Sequence, residues 1–201
     1  MSGILLVVSG PSGVGKSTII EHVIHGDAVG RLCRFSISMT TRAPRAGEID
    51  GEHYFFVDEK AFLRDAEHGM LLEYARYNDH YYGTPAEPVL RSINNGECVI
   101  LDIETQGMFQ VIGRMPEAVT VFVAPPSDAV LEKRLRGRGT EDEERIMKRL
   151  EAARLEHEHI SKYQYIIIND ISDKAAHDLA AIIRAECLKT YRTIFKEVRK
   201  Q

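Results

Sequence analysis

The run Ile4–Val8 is apolar without a break and stops at Ser9-Gly10, the pattern of a strand buried on both faces. Immediately after it, "KSTIIEHVIHG" sets Ile19, Ile20, Val23 and Ile24 at helical spacing and closes on Gly26. The strand type recurs in "ECVILDI" (97–103), "AVTVFVAPP" (118–126) and "YQYIIIND" (163–170). Helical patterns fill roughly 104–114, 128–136, 141–160 and 172–198. This alternation predicts an α/β fold with a parallel sheet and right-handed crossovers. Residues 36–95 break the rhythm with short aromatic-rich runs, "HYFFV", "LLEYARY" and "HYYG", which read as a small antiparallel patch. The expected organisation is therefore a core of residues 1–35 and 96–201 with residues 36–95 inserted. Two helix starts carry capping boxes: Thr140-Glu141-Asp142-Glu143, and Thr84-Pro85-Ala86-Glu87 with proline at the first helical position.

Composition narrows the class. A chain of 201 residues with 44% hydrophobic and 28% charged positions can build a single ordinary core. A net charge of −4 argues against a broad nucleic-acid surface, which is normally basic. Cys33, Cys98 and Cys187 are far apart in sequence, odd in number and lack metal-ligand spacing, so reduced thiols in a cytoplasmic protein are expected. The early apolar run is too short for a signal or membrane segment, and no membrane anchor is expected. The histidines of "HEH" (157–159) lack zinc spacing and read as a solvated face, and the tail cations Lys189, Arg192, Lys196, Arg199 and Lys200 suit a helix C-terminus.

The chemistry begins at "GPSGVGKST". Gly10, Pro11, Ser12, Gly13, Val14, Gly15, Lys16, Ser17 and Thr18 fit G-x-x-x-x-G-K-[ST] between a strand and a helix. Glycines let backbone N–H groups converge on phosphate oxygens, and the helix start adds positive potential. Lys16 would reach the β- and γ-phosphates of a triphosphate, and Ser17 would hold Mg²⁺. Asp102 ends the apolar run "VILD", where open α/β sheets bind ligands. It either helps hold the metal or caps the following helix. The bland alternative for the loop is a glycine-rich turn with a chance lysine.

A second anion site is suggested by "SMTTRAPRAGEIDGEHYFF" (38–56). Arg42 and Arg45, with Tyr54, Tyr81 and Tyr82, could clamp a phosphate through the bidentate guanidinium fork, and a solvated loop is the alternative. With "SGPSGVGKST", "LLEYARYNDHYYGTP", "VILDIETQG", "RLRGRGTEDEERIMKRLEAARLE" and "YIIIND" in order, the chain closely resembles the guanylate kinase family over about residues 3–190. The resemblance implies a P-loop nucleoside monophosphate kinase fold: a parallel sheet flanked by helices, a mixed GMP-binding insertion and a helical lid at about 134–158. It implies Mg²⁺-dependent transfer from ATP to GMP, giving ADP and GDP in purine nucleotide metabolism. It puts Arg42, Arg45, Tyr54 and Tyr82 on the GMP phosphate and Ser38, Glu73 and Thr84 on the guanine, with Asp102 and Glu104 in the same pocket. Arg134, Arg138 and Arg149 match lid and phosphate-bridging positions, and Asn169 matches the adenine side. Glu104 stands where the family commonly has aspartate, and Ile171 stands where a further acid is common.

The residues themselves fit this picture. A carboxylate at position 73 would accept both N1–H and the 2-amino group of guanine, which adenine cannot supply. A surface glutamate on a half-buried strand is the alternative, and Thr84 could cap a helix as well as face the base. Gly137 and Gly139 would form a hinge for a lid carrying Arg138 and Arg149, while Arg145 belongs with the salt-bridged outer face. The partners expected are ATP and GMP, with no nucleic acid or membrane, and homo-oligomerisation is left open. The rival readings are a phosphopeptide-binding scaffold of the same fold, and a kinase acting on a phosphorylated sugar.

Overall fold

A computed structural model describes residues 3–26, 29–77, 79–137 and 142–192. Its core is a five-stranded, wholly parallel sheet. The strands are β1 (Ile4–Ser9), β2 (Cys33–Phe35), β7 (Cys98–Asp102), β8 (Val119–Ala124) and β9 (Tyr165–Ile168), in spatial order β2-β7-β1-β8-β9. Central β1 alternates across the sheet. Ile4, Leu6 and Val8 pack with Ile19, Ile20 and Val23 of α1 (Lys16–Ile24) and with Leu179 and Ile183 of α7 (Ser172–Cys187). Leu5 and Val7 pack on the other face, with Val89 of α3 (Ala86–Asn94) and with Met108 and Val111 of α4 (Thr105–Arg114). Both faces are thus covered, which is why β1 reads as an unbroken apolar run.

A second, four-stranded sheet has the order β4-β3-β6-β5. Its strands are β3 (Met39–Thr40), β4 (Phe55–Phe56), β5 (Leu71–Tyr77) and β6 (His80–Pro85). It is mixed: β3 runs parallel to β4 and antiparallel to β6, and β5 is antiparallel to β6. Its edge strand β5 is tied to α4 by the Gln110 amide, which accepts from Tyr74 N at 3.1 Å and donates to Tyr74 O at 2.9 Å. Arg114, on the same helix, donates to the Leu71 carbonyl. A helical hairpin of α5 (Asp128–Gly137) and α6 (Glu143–His157) closes on its own small core of Leu131, Leu135, Ile146 and Ala153.

Several local expectations need correction. The insertion also contains a helix, α2 (Glu59–Glu67), capped by the Asp58 carboxylate accepting from Ala61 N. Pro85 sits at the N-cap of α3 rather than at its first helical position, and Thr84 caps nothing. The cap of α6 is Asp142, which accepts from Arg145 N, while Thr140 and Glu141 lie outside the described residues. The single long helix expected over 172–198 stops at Cys187 with Leu188 as its C-cap, and its last residues, with the tail cations Lys196, Arg199 and Lys200, lie outside the described range. Cys33 and Cys98, distant in sequence, are register partners on β2 and β7, and both are free thiols. His157 is not on a solvated face: its ring packs on Phe122 with centroids 6.0 Å apart.

Candidate active site

The loop after β1 turns directly into α1. Gly15 is the N-cap with φ 96°, no side chain caps α1, and its first turn holds no acid. The free N–H groups of that turn are therefore open to an anion. A cavity of about 190 Å³ is lined by Pro11, Ser12, Gly13, Gly15, Lys16, Ser17, Thr18 and Asp102. Lys16 Nζ donates to Gly10 O at 2.6 Å and lies 3.6 Å from the Asp102 carboxylate. Strand register explains the pairing: Asp102 is the partner of Val8, two residues before Gly10. Burial raises the Asp102 pKa, against the pull of Lys16. The N-cap of α4 is Glu104, so the helix-cap alternative for Asp102 falls away.

The loop is braced from behind. Asn169, at the end of β9, is buried and donates through Nδ2 to Val14 O at 2.7 Å. A Cβ on Gly15 would come within 2.6 Å of that Nδ2, so only glycine lets the loop sit this close. Arg134, on α5, donates to Asn169 O at 2.9 Å and Asp170 O at 3.2 Å. On α6, Arg149 donates to Ser12 Oγ, whereas the Arg145 side chain is exposed. Arg138 and the expected hinge glycine Gly139 lie outside the described residues.

A second cavity, of about 210 Å³, opens between the two sheets, lined by Ser38, Tyr54, Glu73, Ala75, Tyr77, Tyr82, Gly83, Asp102, Ile103, Glu104 and Gly107. At its base Glu73 is only 6% exposed. Thr84, its register partner on β6, donates to Glu73 Oε1 at 2.6 Å. Burial raises the Glu73 pKa, the Thr84 hydrogen bond opposes it, and the Glu104 charge adds to the rise. The structure thus removes the surface-glutamate alternative. The exposed Glu104 forms part of the rim.

At the mouth, Arg42 is not a solvated loop residue. Its Nη1 and Nη2 donate to Glu48 at 2.9 and 2.8 Å, and its guanidinium lies 5.5 Å from the Tyr54 ring centroid. Glu48 also accepts from Arg45 N at 2.7 Å, while the Arg45 side chain is exposed. The Arg42 hydrogen bonds, aided by Arg45 N–H, lower the Glu48 pKa to about 2. Tyr54 and Tyr82 meet edge to face at 6.1 Å. Tyr81 does not join them: strand alternation turns it to the opposite face, stacked on Phe62 at 5.4 Å. Sequence reasoning gave no role to Glu48, though it belongs to the same "TTRAPRAGE" run, nor to Gly107, whose Cβ would lie 2.7 Å from Glu73 Oε2.

A phosphate-binding loop at the centre of a parallel sheet, facing a second polar pocket across a shared aspartate, defines a P-loop kinase of small phosphorylated molecules. The family model for guanylate kinase matches residues 2–186, so the chain belongs to the guanylate kinase family. It is 44% identical over 201 residues to the guanylate kinase of Caldanaerobacter subterraneus subsp. tengcongensis, covering 99% of this chain and 96% of that one. To the guanylate kinase of Halalkalibacterium halodurans it is 45% identical over 194 residues, covering 96% and 94%. The crystal structure of guanylate kinase from Anaplasma phagocytophilum superposes with a TM-score of 0.74 at 32% identity, covering 95% of this chain and 89% of that one. A gluconokinase from Sinorhizobium meliloti shares the fold at a TM-score of 0.51 and 15% identity, covering 96% and 98%. The chain is thus an enzyme of the nucleoside monophosphate kinase class.

Proposed function

We propose that this guanylate kinase transfers the γ-phosphoryl group of ATP to the phosphate of GMP, giving ADP and GDP, with the following division of labour. The observation that carries the reading is the buried Glu73 carboxyl, fixed by Thr84 in a cavity that shares Asp102 with the phosphate loop. Glu73 accepts the N1–H and 2-amino hydrogens of guanine, and Ser38, Thr84, Asp102 and Glu104 complete the pocket. Arg42, Arg45, Tyr54 and Tyr82 hold the GMP phosphate at the mouth. Residues 10–18 wrap the ATP phosphates, and Arg134 and Asn169 serve ATP by bracing that loop. Lys16, Arg42, Arg149 and, from the family resemblance, Arg138 neutralise the transferring phosphoryl group.

The donor set suits Mg²⁺: Ser17 and Asp102 bring hard oxygens to one cavity, which fits an ion that keeps waters and phosphate oxygens as its other ligands. When bound, it would offset the phosphate charge. The accepting oxygen is already ionised at neutral pH, so no general base is required; positioning and charge neutralisation suffice. No helix among the described residues is long and apolar enough to cross a membrane.

The test is ADP release with GMP or AMP as acceptor. GMP is expected to be consumed and AMP to be nearly inert. Lys16→Ala should lower turnover by at least about a hundred-fold while nucleotide affinity falls much less. Near-normal turnover in that variant would defeat the mechanism, and GMP binding without ADP release would instead mark a scaffold.

A further inference from the structure

Helix α6 carries a second side chain toward the core that the mechanism above does not use. Glu156 lies seven residues after Arg149, two helical turns along the same face. Arg149 reaches Ser12 of the phosphate loop, and the end of α6 packs on β8, where the His157 ring meets Phe122, the register partner of Ser9. The Glu156 Oε2 oxygen is buried and accepts no hydrogen bond, and Nε2 of the adjacent His157 is likewise buried without a partner. Tyr163, ahead of β9, bonds Thr105 Oγ1 at 3.0 Å at the start of α4 and feels the Glu156 charge. Among the described residues the hairpin's own apolar cluster is small, Leu131, Leu135, Ile146 and Ala153 with Leu150 against them, so this polar end matters to how α6 seats.

We propose that Glu156 is a positioning residue for phosphoryl transfer: it docks the far end of α6, and through it Arg149, behind the phosphate loop, as the neutral acid once nucleotide phosphates engage Lys16. The inference rests on the kinase reading given above. The charged groups around Glu156 set its sign. Burial pushes its pKa up to about 7, the Glu104 charge adds to the rise, and Lys16 pulls it down. Tyr163 borders it with its own pKa raised, chiefly by burial, and Arg149 donates to Ser12. Bound phosphates claim the Lys16 ammonium and bring negative charge of their own. Both effects disfavour the carboxylate, so binding draws a proton onto Glu156. A neutral carboxyl can also donate a hydrogen bond, which a carboxylate cannot.

The experiment is titration calorimetry of MgADP with GMP at pH 7, in two buffers of different ionisation enthalpy, on the wild type and Glu156→Gln, with steady-state kinetics on both and on Glu156→Ala. Wild type should take up more protons on binding than Glu156→Gln. Glu156→Ala should lower kcat about ten-fold with little change in KM for GMP, and Glu156→Gln, which keeps the shape and a donor, should recover most of that loss. Equal proton uptake in wild type and Glu156→Gln, or a wild-type kcat in Glu156→Ala, would overturn the proposal. Failure of the wild type to phosphorylate GMP would instead remove the kinase reading beneath it.

Discussion

At the scale of single residues, the base pocket turns on one carboxyl held between opposing influences. Burial favours the neutral acid of Glu73, and the Thr84 hydroxyl favours the carboxylate. Glu73→Gln turns one acceptor into a donor facing guanine's own donors. Leaving a buried donor unpaired costs about 1–3 kcal/mol, so kcat/KM for GMP should fall by roughly ten- to hundred-fold. Thr84→Val removes the group that lowers the Glu73 pKa, so the carboxylate is lost at higher pH than in the wild type. The rise in KM for GMP on acidification should therefore begin at higher pH in Thr84→Val; identical KM profiles would show that this hydroxyl does not tune the acid. Neither partner was fully legible in sequence. Glu73 stood out only through the family resemblance, and Thr84 also suggested a cap that the fold assigns to Pro85. Glu48 was hidden for another reason: an acid three residues from an arginine is common, and only its bidentate hold on Arg42 marks it.

Among elements, legibility follows the range of the interactions that form them. The unit of β1, loop and α1 is contiguous, and its apolar run, glycines and helical spacing all lie in one short window, so both fold and chemistry could be read there. The small sheet is different. β3 and β4 have two residues each, too short to show alternation, and they exist because residues far along the chain complete the ladder. Even α2 had a local signal, Asp58 before Glu59, that the surrounding aromatic runs masked. The seam between α4 and β5 was invisible for the same long-range reason, and Gly107 is its tight point. In an isolated helix Gly→Ala gains about 1 kcal/mol. Here the new methyl would press on Glu73 Oε2 at 2.7 Å. Gly107→Ala is expected to raise KM for GMP while KM for ATP stays near wild type, because the phosphate loop is not touched. Equal changes in both constants would place the damage in the core instead.

Over the whole molecule, two pockets share Asp102, and on the function proposed above the remaining question is how close their contents come. In-line transfer needs the reacting atoms about 3–3.5 Å apart. Yet a gap of about 490 Å³ separates the α1 side from the small sheet, with Ser17, Glu21 and Phe35 facing His53 and Tyr54. Arg42 is occupied by Glu48, and the Arg45 side chain is exposed. On the assignment proposed above, the described state is open on the GMP side, while Arg149 already touches the loop on the ATP side. Among the described residues the small sheet is held on its β5 side, through Gln110 and Arg114 to α4 and through Leu72 in the core, so closure would carry its β4 edge. Binding of GMP gives Arg42 and Arg45 an anion that the loop side attracts through Lys16 and the start of α1. Closure should then narrow that gap and exclude water, the competing acceptor. Small-angle scattering should show a smaller radius of gyration with MgADP and GMP together than with MgADP alone. Arg42→Ala, which loses the anion grip, should show little of that contraction at the same nucleotide concentrations. A wild-type radius unchanged by both nucleotides would mean that the gap is filled by substrate rather than closed by the protein.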